Sequence, residues 1–201
     1  MFKNRSAFWI ALVALAALAG GYLVSRQLAR DVPALQSGTI LPQPRPVAPF
    51  SLTDHLGAPF DNARLKGAPH LVFFGFTHCP DICPSTLALL AQLNRDPDLA
   101  GLRTLFVTVD PERDDQETMR RYVDAFGGGL IGARGEDAAL APLATSLGAA
   151  YSTEKTADGS TRVDHTATLF YIDREGRLAA VFTPPFSLPK LRADLALLAS
   201  D

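Results

Sequence analysis

The chain holds two cysteines, Cys79 and Cys83, in the stretch Gly75-Phe76-Thr77-His78-Cys79-Pro80-Asp81-Ile82-Cys83-Pro84-Ser85-Thr86-Leu87. Each is followed by proline. Two thiols at this spacing can serve as a structural disulfide, a redox dithiol or a soft-metal site. A crosslink closing so small a loop restricts the unfolded chain little, on the order of 2 kcal/mol. It would be a poor staple for a domain of this size. The redox and metal readings are stronger, since thiolates suit Cu(I), zinc and iron–sulfur clusters.

Both readings need the thiols held on a rigid platform. Leu71 to Phe76 is a short apolar run that reads as a fully buried strand. Pro84 to Leu93 reads as a helix, with Pro84 in the first turn, where a missing N–H is no loss. The prolines bias Cys79 and Cys83 away from helical angles. The thiols therefore belong on a strand-to-helix loop. Cys83 is expected beside a helix N-terminus, whose unpaired N–H groups and positive dipole end favour a thiolate.

A second apolar run, Leu102 to Val109, ends in Asp110-Pro111-Glu112-Arg113-Asp114. Two strands linked through a helix should be parallel, so their carboxyl-end loops share one sheet edge. An antiparallel strand starts at that edge. Thr166 to Ile172 reads as such a strand, paired with Leu178 to Phe182 across the turn Asp173 to Gly176. His165 should then meet the thiols. Of the other histidines, His55 lies in a turn and His70 precedes a strand, both as ordinary side chains. His78 adjoins Cys79 but points the other way on extended backbone. Cys79, Cys83 and His165 make three ligands. Structural zinc wants four, and iron–sulfur clusters usually take four cysteines. Copper accepts three-coordinate soft sites, two thiolates for Cu(I) and an imidazole that admits Cu(II). The ligand count points to copper.

With 201 residues, 47% apolar, the chain can bury a real core, and its net charge of −2 carries no basic cluster of the kind nucleic acid demands. Residues 1–24 read as a single N-terminal membrane-anchor helix. Ala7 to Val24 is free of charge, Lys3 and Arg5 precede it, and Trp9 and Tyr22 lie near its ends. The rival is a signal peptide cleaved after Ala17-Leu18-Ala19. No cysteine follows the apolar run, so a lipoprotein anchor is excluded. Either outcome exports the remainder to a disulfide-permissive compartment. Residues 25–46, with Pro33, Pro42, Pro44 and Pro46, read as an extended linker without a core. The domain is expected over 47–201. Its elements are a β-hairpin around Asp54 to Gly57, the strand–loop–helix with the cysteines, a second strand, helices over Gln116–Phe126 and Glu136–Leu147, a short strand at Tyr151, the late hairpin, and a last helix over Leu188–Leu198.

The cysteine motif, with Val109-Asp110-Pro111-Glu112-Arg113-Asp114, Val163-Asp164-His165-Thr166 and Phe170-Tyr171-Ile172-Asp173, closely resembles the Sco/SenC family, from about Val47 to Ala199. The resemblance implies an α/β, thioredoxin-like fold: a central mixed sheet flanked by helices, with an N-terminal β-hairpin and the membrane anchor. It implies a copper metallochaperone that is not an enzyme, with Cys79, Cys83 and His165 as the copper ligands. The implied partners are the copper-accepting subunit of cytochrome c oxidase, which houses a binuclear copper centre, and another copper chaperone or thiol reductant. The implied location is the inner membrane, with the domain in the periplasm. The acidic Asp-Pro segment falls on Asp110 and suggests metal delivery or partner docking. The alternative is an extracytoplasmic thiol–disulfide oxidoreductase acting on a partner's cysteines. Thioredoxin-like enzymes resemble each other in a Cys-x-x-Cys motif and a facing cis-proline. Here three residues separate the cysteines, and no proline lies between Tyr151 and Thr183; His165 stands about where it would be. A peroxiredoxin-type peroxidase is a weaker rival, because Phe76 holds the position of that family's threonine.

Overall fold

The computed structural model describes residues 3–28 and 34–199, which fall into two separate units. The first is helix α1 (Lys3–Leu28), whose stretch Phe8–Ser25 is long and apolar enough to cross a membrane. Eighteen residues at 1.5 Å each span about 27 Å, close to the thickness of a bilayer's hydrocarbon core. Residues 29–33 of the expected linker, and residues 200–201 of the expected domain, lie outside the described residues.

The second unit is built on an eight-stranded mixed sheet, in the order β1-β10-β9-β4-β5-β6-β2-β3. At its centre β4 (His70–Gly75) and β5 (Arg103–Thr108) run parallel, from His70 beside Arg103 to Gly75 beside Thr108. All six residues of β4 are buried, as a strand covered on both faces requires. Helix α2 (Ile82–Asn94) joins β4 to β5, and α3 (Gln116–Phe126) joins β5 to β6 (Ile131–Arg134), which is again parallel. Asp115 caps α3 by accepting the Thr118 N–H at 2.7 Å. Past β6, α4 (Asp137–Leu147) packs on the hairpin β2 (Ser51–Asp54) and β3 (Pro59–Asp61), which closes one sheet edge against β6. Gly148, at φ 79°, ends α4 in the left-handed region. On the other side β9 (Leu169–Ile172) and β10 (Arg177–Phe182) form the late hairpin, with β9 antiparallel to β4. Helix α5 (Leu188–Ala199) follows.

Three elements depart from the sequence reading. Gly38–Pro46 is not linker but strand β1, antiparallel to β10 at the sheet edge. An edge strand needs only one ladder, so its prolines cost little and blunt the open side. Asp194, buried on α5, fastens the chain just before it. The carboxylate accepts the Gln36 and Ser37 N–H groups at 2.7 and 2.8 Å and the Ser37 hydroxyl at 2.7 Å. Gly38 pairs with Phe182, so the chain enters the sheet at the edge where β4 ends. Second, Ile131–Arg134 is a strand that the sequence reading passes over. Third, Lys155 to Ser160 does not end a lone strand. It turns β7 (Tyr151–Lys155) into β8 (Thr161–His165), a separate two-stranded sheet.

His70, expected to be an ordinary side chain, is fully buried at the start of β4. Its Nδ1 lies 2.9 Å from the Ala68 carbonyl, which can only accept, so Nδ1 carries the proton. Phe60 packs edge-on against the ring. Burial, aided by the charges of Arg103 and Arg64, holds its pKa at about 4 instead of 6.5. The unfolded chain takes up this proton first as pH falls. The stability is fully present above pH 6.5 and is lost progressively down to pH 4. The whole effect is about 3 kcal/mol. Urea unfolding of the full chain at a series of pH values should show this loss, and His70→Gln should flatten that part of the profile.

Candidate metal centre

The carboxyl ends of β4 and β5 carry the two loops on which the site is built. After Gly75 the chain turns through Phe76 to Asp81 and enters α2, with Cys79 in the loop and Cys83 in the first helical turn. Asp81 occupies the N-cap position of α2, but its side chain makes no capping hydrogen bond. The Cys83 N–H donates instead to the Cys79 sulfur, at 3.4 Å. The positive end of α2 thus faces that sulfur. Both thiols are free, Cys79 half-buried and Cys83 fully buried. Cys83 sits so close to β4 that a Cβ on Gly75 would come within 2.9 Å of its sulfur. Only glycine fits there.

The third side chain arrives from the far side of the sequence. His165 ends β8, opposite Tyr151, rather than lying in a loop just before a strand that starts at Thr166. The edge expected for it is nevertheless correct. Its Nε2 lies 3.5 Å from the Cys83 sulfur. Its Nδ1 lies 3.3 Å from the Thr166 carbonyl, which can only accept, so the proton sits on Nδ1 and the Nε2 lone pair faces the thiols. Phe73 and Phe76 hold the ring edge-on from two sides, each with centroids 5.9 Å away. One donor atom from each of Cys79, Cys83 and His165 lies within 4.8 Å of the other two. Two soft sulfurs and one imidazole nitrogen fit a soft or borderline metal ion.

The local electrostatics suit a site that waits for a cation. Burial lowers the His165 pKa below its ordinary 6.5, so the imidazole is neutral and available at pH 7. The expectation that the helix end favours a thiolate at Cys83 is overturned. Burial, reinforced by the hydrogen bond with Cys79, pushes the Cys83 thiol well up. A metal bound here would displace that proton, so its binding would release protons and strengthen with pH.

A second group, His78, Asp110 and Asp114, also brings one donor atom each within 4.8 Å of the others. Its carboxylates are already engaged. Arg113 Nε donates to Asp110, and three neutral donors fill Asp114. With Asp110 paired to Arg113 and Asp114 filled by threonine donors, the group reads as a brace. Asp110 is buried, which removes it as a docking surface. Arg113 also lies over the Phe76 ring, 6.0 Å from its centroid, and so links the acidic loop to the ring against which His165 rests. Sequence reasoning missed Asp114, Arg113 and the two phenylalanines as parts of this site. Only the nearness of the loops to one sheet edge pointed to them.

Comparison with known proteins agrees with the geometry. A copper-bound structure of Bradyrhizobium japonicum ScoI is 36% identical to this chain, with a TM-score of 0.68 over 76% of this chain and 99% of that one. The mitochondrial SCO2 homologue of Mus musculus is 41% identical over 132 residues, 63% of this chain. The chain spans about half the length of that relative, 52%. A thiol:disulfide interchange protein of the thioredoxin family from Chlorobium tepidum shares the fold alone, at 22% identity and a TM-score of 0.56 over 78% of this chain and 97% of that one. The fold is thus thioredoxin-like. The family model described as SCO1/SenC matches residues 39–200, and with the mixed sheet, the paired thiols and the facing histidine, this chain belongs to the SCO1/SenC family.

Proposed function

We propose that this protein is a copper metallochaperone that takes one copper ion through Cys79, Cys83 and His165 and passes it to the binuclear copper centre of cytochrome c oxidase. One observation carries the reading: two free thiols and the lone pair of a neutral imidazole converge within 4.8 Å. Two thiolates suit Cu(I), and the imidazole admits Cu(II). The half-exposed Cys79 leaves one ligand open to an incoming acceptor, as a carrier requires. Copper is cargo here, and the protein needs no catalytic role.

Residues 1–24 form the anchor in this reading, with the metal domain on the periplasmic side of the inner membrane. The apolar span Phe8–Ser25 supports the anchor. The linker is shorter than the sequence implies, because β1 belongs to the domain. A second reading, reduction of a partner's cysteines, draws on the placement of Cys79. It is the more exposed thiol of the pair and accepts the Cys83 N–H at the start of α2.

Transfer separates the two. The full chain in detergent, reduced and loaded with one copper, is mixed with the purified copper-free acceptor subunit, its cysteines already reduced. Copper should move to the acceptor with no change in the thiol count of either protein. In a parallel arm the acceptor's cysteines are joined as a disulfide; loss of thiols from this chain with their gain by the acceptor, and no copper movement in either arm, would establish the oxidoreductase reading instead.

A further inference from the structure

The acidic loop after β5 has a task that the ligand set does not describe. Asp114 is fully buried, yet no arginine or lysine among the described residues forms an ion pair with its carboxylate. Three neutral donors hold it: the Thr77 N–H at 3.0 Å, the Thr77 hydroxyl at 2.6 Å and the Thr108 hydroxyl at 2.5 Å. His78 Nδ1 stands 3.5 Å away. The residue's own backbone is fixed on both sides. Its N–H donates to the Asp110 carbonyl, and its carbonyl accepts Arg134 Nε at 2.9 Å. Thr108 is the last residue of β5, and Thr77 lies two residues before Cys79. The carboxylate is therefore a peg between a rigid strand end and the root of the cysteine loop.

We propose that Asp114 is a positioning residue for the metal centre: by holding Thr77 it fixes where Cys79 stands relative to Cys83 and His165. This rests on Cys79, Cys83 and His165 being the ligands. The consequence differs between oxidation states. Cu(II) needs thiolates and imidazole together, in one geometry. Cu(I) is satisfied by two sulfurs that can swing to meet it. A loosened Cys79 therefore harms Cu(II) and largely spares Cu(I). The peg does not need its charge. An asparagine can accept the Thr77 N–H and the Thr108 hydroxyl through its oxygen and donate to the Thr77 hydroxyl through its nitrogen, because hydroxyls accept as well as donate.

The test uses the full chain in detergent, with reduced thiols and one equivalent of Cu(II), read by electron paramagnetic resonance and by titration. Asp114→Ala should split the single Cu(II) signal into several species and weaken Cu(II) binding by about tenfold to a hundredfold, the range for groups that orient metal ligands. Cu(I) affinity should change by less than about threefold, since two-coordinate sulfur ligation tolerates the displacement. Asp114→Asn should restore one signal. Thr77→Val, which removes one of the three bonds and leaves the buried carboxylate in place, should broaden the signal in the same direction, and it decides the matter if Asp114→Ala does not fold. An unchanged signal in Asp114→Ala or Thr77→Val overturns the proposal, as does an Asp114→Asn as damaged as the alanine variant. His165→Ala, run beside them, keeps the two claims apart. If it retains the parent Cu(II) signal the ligand assignment has failed, whereas its loss beside an unchanged Asp114→Ala rejects only the peg.

Discussion

Replacing Cys83 by serine should abolish tight copper binding in both oxidation states, lowering affinity by at least about a thousandfold, or about 4 kcal/mol. The sulfur is fully buried between β4 and α2, within 3.5 Å of His165 Nε2. A serine hydroxyl there is a hard donor that does not ionise near neutral pH, and Cys79 offers the one remaining thiol among the described residues. Serine also puts a hydroxyl into a largely apolar site, so the folded state should lose about 1–3 kcal/mol. Cys79→Ser should cost as much copper binding with less loss of stability, because Cys79 is only half-buried. Copper titration and urea unfolding, run on both variants of the full chain, separate ligation from packing. Retained tight binding by either variant would remove that sulfur from the site.

The second large effect divides the oxidation states. His165→Ala should cost Cu(II) binding about a hundredfold or more while changing Cu(I) binding far less, because two thiolates suffice for Cu(I) and Cu(II) calls for the nitrogen donor. The domain should stay folded, since His165 lies at the end of a two-stranded sheet outside the main one. The same nitrogen sets a pH dependence. Protons compete with the metal for Nε2, so Cu(II) affinity should fall in acid. Burial lowers the His165 pKa, so the fall should begin at a lower pH than for an ordinary histidine. Cu(II) titrations across pH 4 to 8 read this directly. The thiol protons give a slope across the whole range, and His165 should steepen it only below pH 6.5; no steepening there would mean that His165 is not the group involved.

Much of this site could be read from residue types and spacing. The run Leu71–Phe76, the two Cys-Pro pairs and the helix-forming Leu87–Leu93 describe a strand, a loop and a helix through local signals alone. The right edge for His165 followed from strand directions, although the strand behind it was misplaced. His165 closes β8, and β9 begins only at Leu169. Strand β7 is polar and exposed beyond Tyr151, and β8 alternates only between half-buried and exposed positions without an apolar face, so the hydrophobic alternation that marks a strand in sequence is weak there. Strand β6 was invisible for another reason. Gly132 and Arg134 dilute its apolar pattern, and glycine is needed where a Cβ would strike Val123 and Met119. Strand β1 hid behind prolines that read as a spacer. Burial itself was the least legible quantity. Nothing local says that His70, Asp110 and Asp114 are inside, or that Cys83 is buried deeply enough for desolvation to outweigh its place at a helix end.

The central claim is that copper sits between two sulfurs and one imidazole, and X-ray absorption at the copper edge tests it most directly. The full chain, reduced and loaded with one equivalent of Cu(II), should show two sulfur scatterers and one histidine nitrogen at short range. Reduction to Cu(I) should keep both sulfurs. After the thiols are oxidised to a disulfide, the same protein should take up little copper, because the thiolate is the ligand and the disulfide is not. A copper shell of oxygen and nitrogen alone, or equal uptake by the oxidised chain, would contradict the account.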